Sequence, residues 1–303
     1  MTVPTRRQFL QGTLAAGAGL ALGTTPTAAI TPIRRTGKAH LRLSIAAYSF
    51  NRDLNLKRKP KPAMDLDGFI DFAAAQNLDA VELTAYYFPE TTPRYLTGLK
   101  GRCTRLGLDI SGTAVGNNFC TSDASRLKTQ IADVKRWIEH TSRLGGKTMR
   151  IFAGNVDRGD TEERARGRCI AAIQEACEHA GQFGIYLALE NHGGITNTIE
   201  QMLTLVRGVK SDWFGVNLDT GNFHSADPYA DLARLSPYAV VVQIKTEIQR
   251  MGRKKEEADL KRLIEILRKA NYRGYVALEY EAAEDPMKAV PRHAATLSKL
   301  LNG

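Results

Sequence analysis

The sequence predicts an α/β fold, a single-domain (β/α)8 TIM barrel, from three observations. Eight apolar, strand-like runs alternate with polar, helix-periodic stretches from residue 41 to the end of the chain. At roughly 35 residues per strand-helix unit, the spacing suits eight units of a barrel and leaves little over. No GxGxxG follows the first run, and an open doubly wound sheet, the nearest competitor, usually has fewer strands.

Taken in order, the strands are LRLSIAAYSF (41–50), LDAVELTA (78–85), LDISGTAV (108–115), KTMRIFAG (147–154), IYLALENH (185–192), WFGVNLDT (213–220), AVVVQIKT (239–246) and YVALEYEA (275–282). Near-continuous apolar runs such as IYLAL read as strands buried on both faces, as a parallel sheet requires. Between them, DVKRWIEHTSRL (133–144), ERARGRCIAAIQEACEHAGQFG (163–184) and DLKRLIEILRKANYRG (259–274) are the clearest helices. The last two carry apolar positions at i, i+3, i+4. Asp227-Pro228 and Asp285-Pro286 pair an N-cap with a first-turn proline, while QNLD, RLGLD, QFGIY and NYRGY supply the Gly or Asn that ends a helix.

The first residues are excluded from the fold. TRRQFLQ (5–11) is a twin-arginine motif followed by a weakly apolar GTLAAGAGLALG and the small-residue stretch TPTAA. This predicts an export signal over 1–29, cut near Ala29, then a linker over 30–40 and the barrel over 41–303. The apolar run is shorter than the ~20 residues that span a bilayer, so a periplasmic protein with no membrane contact after signal removal is expected. The formal charge is +10, and loss of Arg6 and Arg7 with the signal leaves about +8. Basic runs such as LKRKPKP (56–62) and RMGRKKEE (250–257) lack interleaved aromatics and read as solvated loops rather than a nucleic-acid surface, though the second could hold an anionic substrate. Cys103, Cys120, Cys169 and Cys177 form no CxxC pair and read as buried thiols. Cys169 and Cys177, eight apart on a helix, are about 12 Å apart and too distant to bridge. A Cys103–Cys120 bridge is left open.

Catalysis in a (β/α)8 barrel sits at the carboxyl ends of the strands. The polar residues there are Glu82, Arg150, Glu190, His192, Asp219, Asn222, His224, Gln243, Lys245, Glu279 and Glu281. Residues two apart share a strand face, so Gln243 points with Lys245 and Glu279 with Glu281. Carboxylates from the fifth, sixth and eighth strands converging with an amide from the seventh suit a hard divalent ion, Mg²⁺ or Mn²⁺, better than thiolate-type zinc. A structural ion network with Arg150 and Lys245 is the alternative. Glu82 reads equally as a substrate contact or a partner for Arg150. Lys245 could stabilise an oxyanion, act as an acid with a lowered pKa, or simply pair with Glu281. Tyr48, Tyr86, Tyr87 and Phe88 could wall a sugar-sized pocket.

ALENHGG, NLDTGNFH, VVQIKTE and VALEYEAAEDP, in this order at strands five to eight, resemble the sugar phosphate isomerase/epimerase family of xylose isomerase-like TIM barrels. The resemblance covers essentially the whole chain after the signal. It implies one divalent metal ion, Mn²⁺ or Mg²⁺ with Co²⁺ or Zn²⁺ as further options, held by Glu190, Asp219, Gln243 and Glu279. Glu190 and Glu279 would also exchange protons with substrate, and His192, His224, Lys245, Glu82 and Arg150 are the candidate substrate contacts. Two departures stand out: epimerases of the family commonly place His where this chain has Gln243, a choice the hydroxypyruvate isomerase type shares, and a substrate His where it has Asn222, with His224 two further on.

The expected function is a metal-dependent sugar isomerase or epimerase acting by proton abstraction next to a carbonyl, through an ene-diolate. Its substrate would be a small free or oxidised carbohydrate, because phosphorylated sugars are mostly cytoplasmic. A 3-keto-glycoside lyase or hydratase with the same metal site is the alternative. A non-catalytic sugar-binding barrel and an endonuclease IV-like repair enzyme are less favoured, the latter because six histidines, most of them off the rim, do not make its trinuclear zinc site. Barrels of this group often pair, so a homo-oligomer is an expectation.

Overall fold

A computed structural model describes residues 30–58 and 61–302; the signal and its cleavage point near Ala29 lie outside the described residues. Eight parallel strands close the barrel: β1 (His40–Ala46), β2 (Ala80–Thr84), β3 (Asp109–Ala114), β4 (Thr148–Ile151), β5 (Tyr186–Glu190), β6 (Phe214–Asp219), β7 (Ala239–Ile244) and, after a short hairpin of β8 (Glu247–Gln249) and β9 (Lys255–Glu257), β10 (Arg273–Leu278). Around the ring their order is β1-β10-β7-β6-β5-β4-β3-β2. The eight helices are α1 (Leu66–Ala75), α2 (Pro93–Arg105), α3 (Ala124–Leu144), α4 (Glu162–Phe183), α5 (Ile199–Gly208), α6 (Pro228–Leu235), α7 (Leu260–Lys269) and α8 (Pro286–Asn302).

The boundary chemistry explains why each unit starts and stops where it does. Asp227 caps α6 by accepting from the Ala230 amide, with Pro228 in the first turn. Thr198 and Gln201 form a reciprocal capping box at α5. Asp285 accepts from the Met287 amide at the start of α8. At the helix ends, Asn77 (φ 53°), Gly107 (φ 73°), Gly184 (φ 67°) and Asn271 (φ 50°) take the left-handed conformation that turns the chain into the next strand.

Register then places chemistry. Parallel pairing sets Glu190 opposite Asn217 and Asp219 opposite Gln243, so polar residues from β5, β6 and β7 end at one level. Ile45, Leu187, Val216 and Val276 alternate with the site-facing positions of their strands and so pack in the apolar core on the outer, helix-facing side of the sheet.

Two features depart from the sequence expectation. The segment predicted as a linker is tied to the barrel: the Ile33 amide donates to Pro237 O at 2.9 Å, and β1 begins at His40. RMGRKKEE is not wholly loop, since Lys255–Glu257 pairs antiparallel with Glu247–Gln249. That strand is three residues long and exposed, with too little alternation to read, and is recruited because its partner buries Ile248. All four cysteines are free and buried, with Cys169 and Cys177 together on α4. Among the described residues no helix is long and apolar enough to cross a membrane.

The loop after β4 is held through Gly154, whose φ is 111° and whose carbonyl accepts from the Ile195 amide at 3.3 Å. A Cβ there would fall 1.9 Å from Asn118 Oδ1, whereas at Gly159 (φ 84°) it would meet nothing within 4 Å. Gly159→Ala is therefore expected to cost only the backbone strain, about 1–2 kcal/mol. Gly154→Ala adds a steric clash and is expected to cost clearly more, which paired urea denaturation curves would read out.

Candidate active site

All the buried charged side chains among the described residues lie in one place: Glu82, Arg150, Glu190, Asp219, Lys245 and Glu279, at the carboxyl ends of the strands. Each comes from a strand end or the residues just after it, so the closed sheet itself brings them together. Burying ions is costly unless each finds a partner, and the contacts show how this is met.

Arg150, on β4, aims its Nε at Glu190 Oε2 at 3.0 Å and donates through Nη1 to Val115 O at 2.8 Å. Its guanidinium lies 3.9 Å from the Phe152 ring centroid. The other Glu190 oxygen accepts from Asn222 Nδ2 at 3.0 Å. On the far side, Lys245 Nζ stands 2.8 Å from Glu279 Oε2 and 3.4 Å from Asp219 Oδ2, and also pairs with Glu281 at the rim. Asp219 is positioned by Asn191, whose amide donates to its carbonyl at 2.9 Å and accepts from its N–H at 3.0 Å. Gly221 N donates to Asp219 Oδ1 at 2.8 Å, while Oδ2 is buried without a hydrogen bond.

Gln243 links the two halves, donating to Glu82 Oε1 at 2.7 Å and accepting from Asn217 Nδ2. Glu82 therefore pairs with Gln243 rather than with Arg150, whose carboxylate partner is Glu190. Gln243 is an engaged amide, with its oxygen already taken by Asn217.

The electrostatics follow from an excess of acid. Burial, then the charge of Glu279, pushes the Glu82 carboxyl up to about 7. Burial likewise pushes Asp219 up to about 7, against the pull of Lys245. Glu190 is also raised by burial, against the pull of Arg150 and with the charges of Asp219 and Glu279 adding to it. Burial alone would lower the Lys245 pKa, but Asp219, Glu279 and Glu281 outweigh it and hold the ammonium well above the ordinary lysine range. That direction is opposite to the lowered pKa a lysine acid would need, and agrees with Lys245 as a cation paired with its acids.

Not every candidate joins the cluster. His192 is exposed and stacks on Phe152, ring centroids 4.4 Å apart. His224 is exposed at the rim and lines a cavity of about 160 Å³ with Asn222, Lys245 and Glu281. Tyr48 and Tyr87 lie close enough to feel the charges of Glu279 and Glu281, and Tyr86 lies against Gly116 in the loop after β3. Phe88 turns away and packs on Trp137 at 5.1 Å. Among the described residues, no three His, Cys, Asp or Glu side chains surround one point as a preformed metal centre would.

Sequence reasoning missed Asn217, Asn191 and Phe152 as parts of this network. Asn217 was legible: it lies two residues before Asp219 on the same strand, hence on the same face.

The family model for the xylose isomerase-like TIM barrel matches residues 70–300, and a twin-arginine translocation signal model matches residues 3–23. The chain belongs to the xylose isomerase-like TIM barrel family. Its signal sequence indicates export. A search of the curated proteins finds no match. Among solved structures, a D-psicose 3-epimerase is 16% identical with a TM-score of 0.70, covering 86% of this chain and 100% of its own. A 3-keto-D-glucoside 4-epimerase from E. coli is 16% identical with a TM-score of 0.66 over the same shares. A xylose isomerase domain protein from Planctomyces limnophilus is 14% identical with a TM-score of 0.65, covering 87% of this chain and 98% of its own. At these identities the likeness is one of fold.

Two predictions follow from this xylose isomerase-like site. Arg150→Met leaves Glu190 buried without its guanidinium and is expected to cost about 3–5 kcal/mol in urea denaturation, with Glu190→Gln in the same chain recovering part of the loss. In metal-free protein the raised carboxyls Glu82 and Asp219 bind protons more tightly folded than unfolded. Their stabilisation is full below about pH 4 and is lost as the pH rises through about 7. Glu82→Gln removes one share, so its stability falls less between pH 5 and pH 8 than that of the parent chain.

Proposed function

We propose that this chain is a sugar isomerase or epimerase that exchanges a proton beside a carbonyl, with Glu190 and Glu279 as its acid–base residues. The observation that supports the reading is that Glu190, Asp219 and Glu279, at the ends of β5, β6 and β10, are buried together with Lys245 at the carboxyl-terminal end of a xylose isomerase-like barrel.

The donor set fits a hard divalent cation in its chemistry. Oxygen ligands only are present, four buried carboxyl groups face two buried cations, and Asp219 Oδ2 is buried without a hydrogen bond. Glu190, Asp219 and Glu279 would hold Mn²⁺ or Mg²⁺, and Gln243 would join them through the second lone pair of the oxygen that accepts from Asn217. Bound there, such an ion supplies the charge that polarises a substrate carbonyl and acidifies the neighbouring C–H.

The remaining work falls to this chain's own side chains. Glu279 and Glu190 come from strands three places apart in the ring and so flank a substrate between them. Glu279, ion-paired with Lys245, takes the proton. Glu190, oriented by Arg150 and Asn222 and raised by burial, returns one to the same carbon or the next. The Lys245 ammonium, kept charged by its acids, favours the oxyanion of an ene-diolate. His224, at the rim cavity, and Tyr48, near Glu281 and Glu279, are the candidate contacts for a sugar's outer hydroxyls.

The export signal favours a free or oxidised sugar in the periplasm over a phosphorylated one, and it gives a second reading some support. A leaving group β to the abstracted proton turns the same first step into elimination, making the chain a 3-keto-glycoside lyase.

Glu279→Gln is expected to lower turnover on the order of 10²-fold or more while leaving the fold intact. Chelation should abolish activity that Mn²⁺ or Mg²⁺ restores. NMR of keto-sugars incubated in D₂O with the enzyme should show deuterium at the carbon beside the carbonyl, in rearranged or eliminated product. No label in any sugar would overturn the reading in favour of a sugar-binding barrel.

A further inference from the structure

The opposite, amino-terminal end of the barrel holds a cavity of about 630 Å³ formed where the strands begin. Arg35, Arg42, Lys147 and Arg273 line it, with Asp212 as the opposing acid. Only Arg42 has a carboxylate partner among the described residues, Asp109 at 3.2 Å. Arg273 and Arg35 spend their guanidinium bonds on backbone carbonyls of Lys38 and Ala239. Arg35 Nη1 is buried with no hydrogen bond among the described residues. Lys147 forms no ion pair there either.

The rest of the wall is apolar. Ile30, Phe214 and Val240 line the cavity, and Ile33 and Tyr186, 37% and 38% exposed, are among the large hydrophobic side chains that the described fold leaves uncovered. Part of this wall comes from the stretch that follows the signal, which hydrogen bonding at Ile33 holds in place. Unpaired cations alone would be met by water, and an apolar recess alone would accept any hydrocarbon. The combination of the two selects a molecule with both an anionic end and an apolar body.

We propose that this cavity binds a small amphiphilic carboxylate, its anionic end among Lys147, Arg35 and Arg273 and its hydrocarbon body against Ile33, Tyr186 and Phe214. The site lies at the end of the barrel away from Glu279, so it is non-catalytic and independent of the proposed reaction. A (β/α)8 barrel conventionally devotes this face to stability, and a bound carboxylate would add to stability by binding only the folded chain.

The test is isothermal titration calorimetry on the full chain with octanoate, acetate and 1-octanol. Octanoate is expected to bind saturably at one site, at least tenfold more tightly than acetate, which lacks the body, or octanol, which lacks the charge. Lys147→Gln, at an exposed side chain with no ion pair, should weaken octanoate on the order of fivefold without changing the melting temperature of the free protein. Arg273→Gln should weaken it as well, and Glu279→Gln should leave it unchanged. Absence of saturable octanoate binding, equal binding of octanol or of acetate, or octanoate affinity unaltered in both Lys147→Gln and Arg273→Gln would each overturn the proposal. None of these outcomes bears on the sugar chemistry, because Glu279→Gln separates the two sites.

Discussion

Closing the barrel forces four buried carboxyl groups, Glu82, Glu190, Asp219 and Glu279, to share two buried cations, Arg150 and Lys245. The rest of the structure around the site is arranged to make that imbalance bearable. Arg150 takes Glu190, Lys245 spans Asp219, Glu279 and the rim Glu281, and Gln243 offers an amide proton to Glu82. What remains uncompensated appears as proton affinity, which is why burial raises three of the acids. The supporting polar residues Asn191, Asn217 and Asn222 hydrogen-bond the Asp219 backbone, Gln243 and Glu190 respectively, while Asp219 Oδ2 is left without a hydrogen bond. Arg150–Glu190 and Lys245–Glu279 join neighbouring strands, but the Gln243–Glu82 bond joins β7 to β2 across the ring and needs the ring closed. The site therefore draws on the stability of the barrel, which its apolar core supplies.

The two ends of the barrel are electrically opposite. One concentrates acids, the other lines a cavity with arginine and lysine. A net charge of +10 describes neither, since it averages a cation-poor site over a cation-rich surface. Each end has its own electrostatic preference: acids at the strand carboxyl ends attract cations, and cations at the strand amino ends attract anions.

The fold was legible because strand and helix signals repeat. Eight runs buried on both faces, with Asn77, Gly107, Gly184 and Asn271 ending helices in the left-handed conformation, each predict the same alternation independently. The identity of the rim residues was legible too, since a strand end is a position in the sequence. Their pairing was not. Whether Arg150 meets Glu82 or Glu190 depends on strand order and side-chain reach, and parallel register places Arg150 beside Ala188 on β5, next to the strand end that carries Glu190. Phe88 illustrates the same limit: it follows Tyr86 and Tyr87 in the chain, but a short turn rotates it onto Trp137. The β8–β9 hairpin escaped because its second strand is three charged, exposed residues, carrying no periodicity to read.

Lys245 bears directly on whether the proposed ligand set could take a cation. Its ammonium shares Asp219 and Glu279 with any divalent cation the site would take, so the two positive charges compete for the same oxygens. A lysine with only those partners would resist loading, because displacing it would strand a buried charge. Glu281 changes that balance: on the same strand face as Glu279 and 36% exposed in its side chain, it gives the ammonium a partner at the solvent edge. Under the proposed reading, Lys245 thus compensates the acids when the site is metal-free and can remain paired through Glu281 when a cation takes its place. The pair Gln243 and Lys245 fits this logic. A neutral amide adds no charge to the ligand set, so the lysine two residues on tips the electrostatic balance between the two forms.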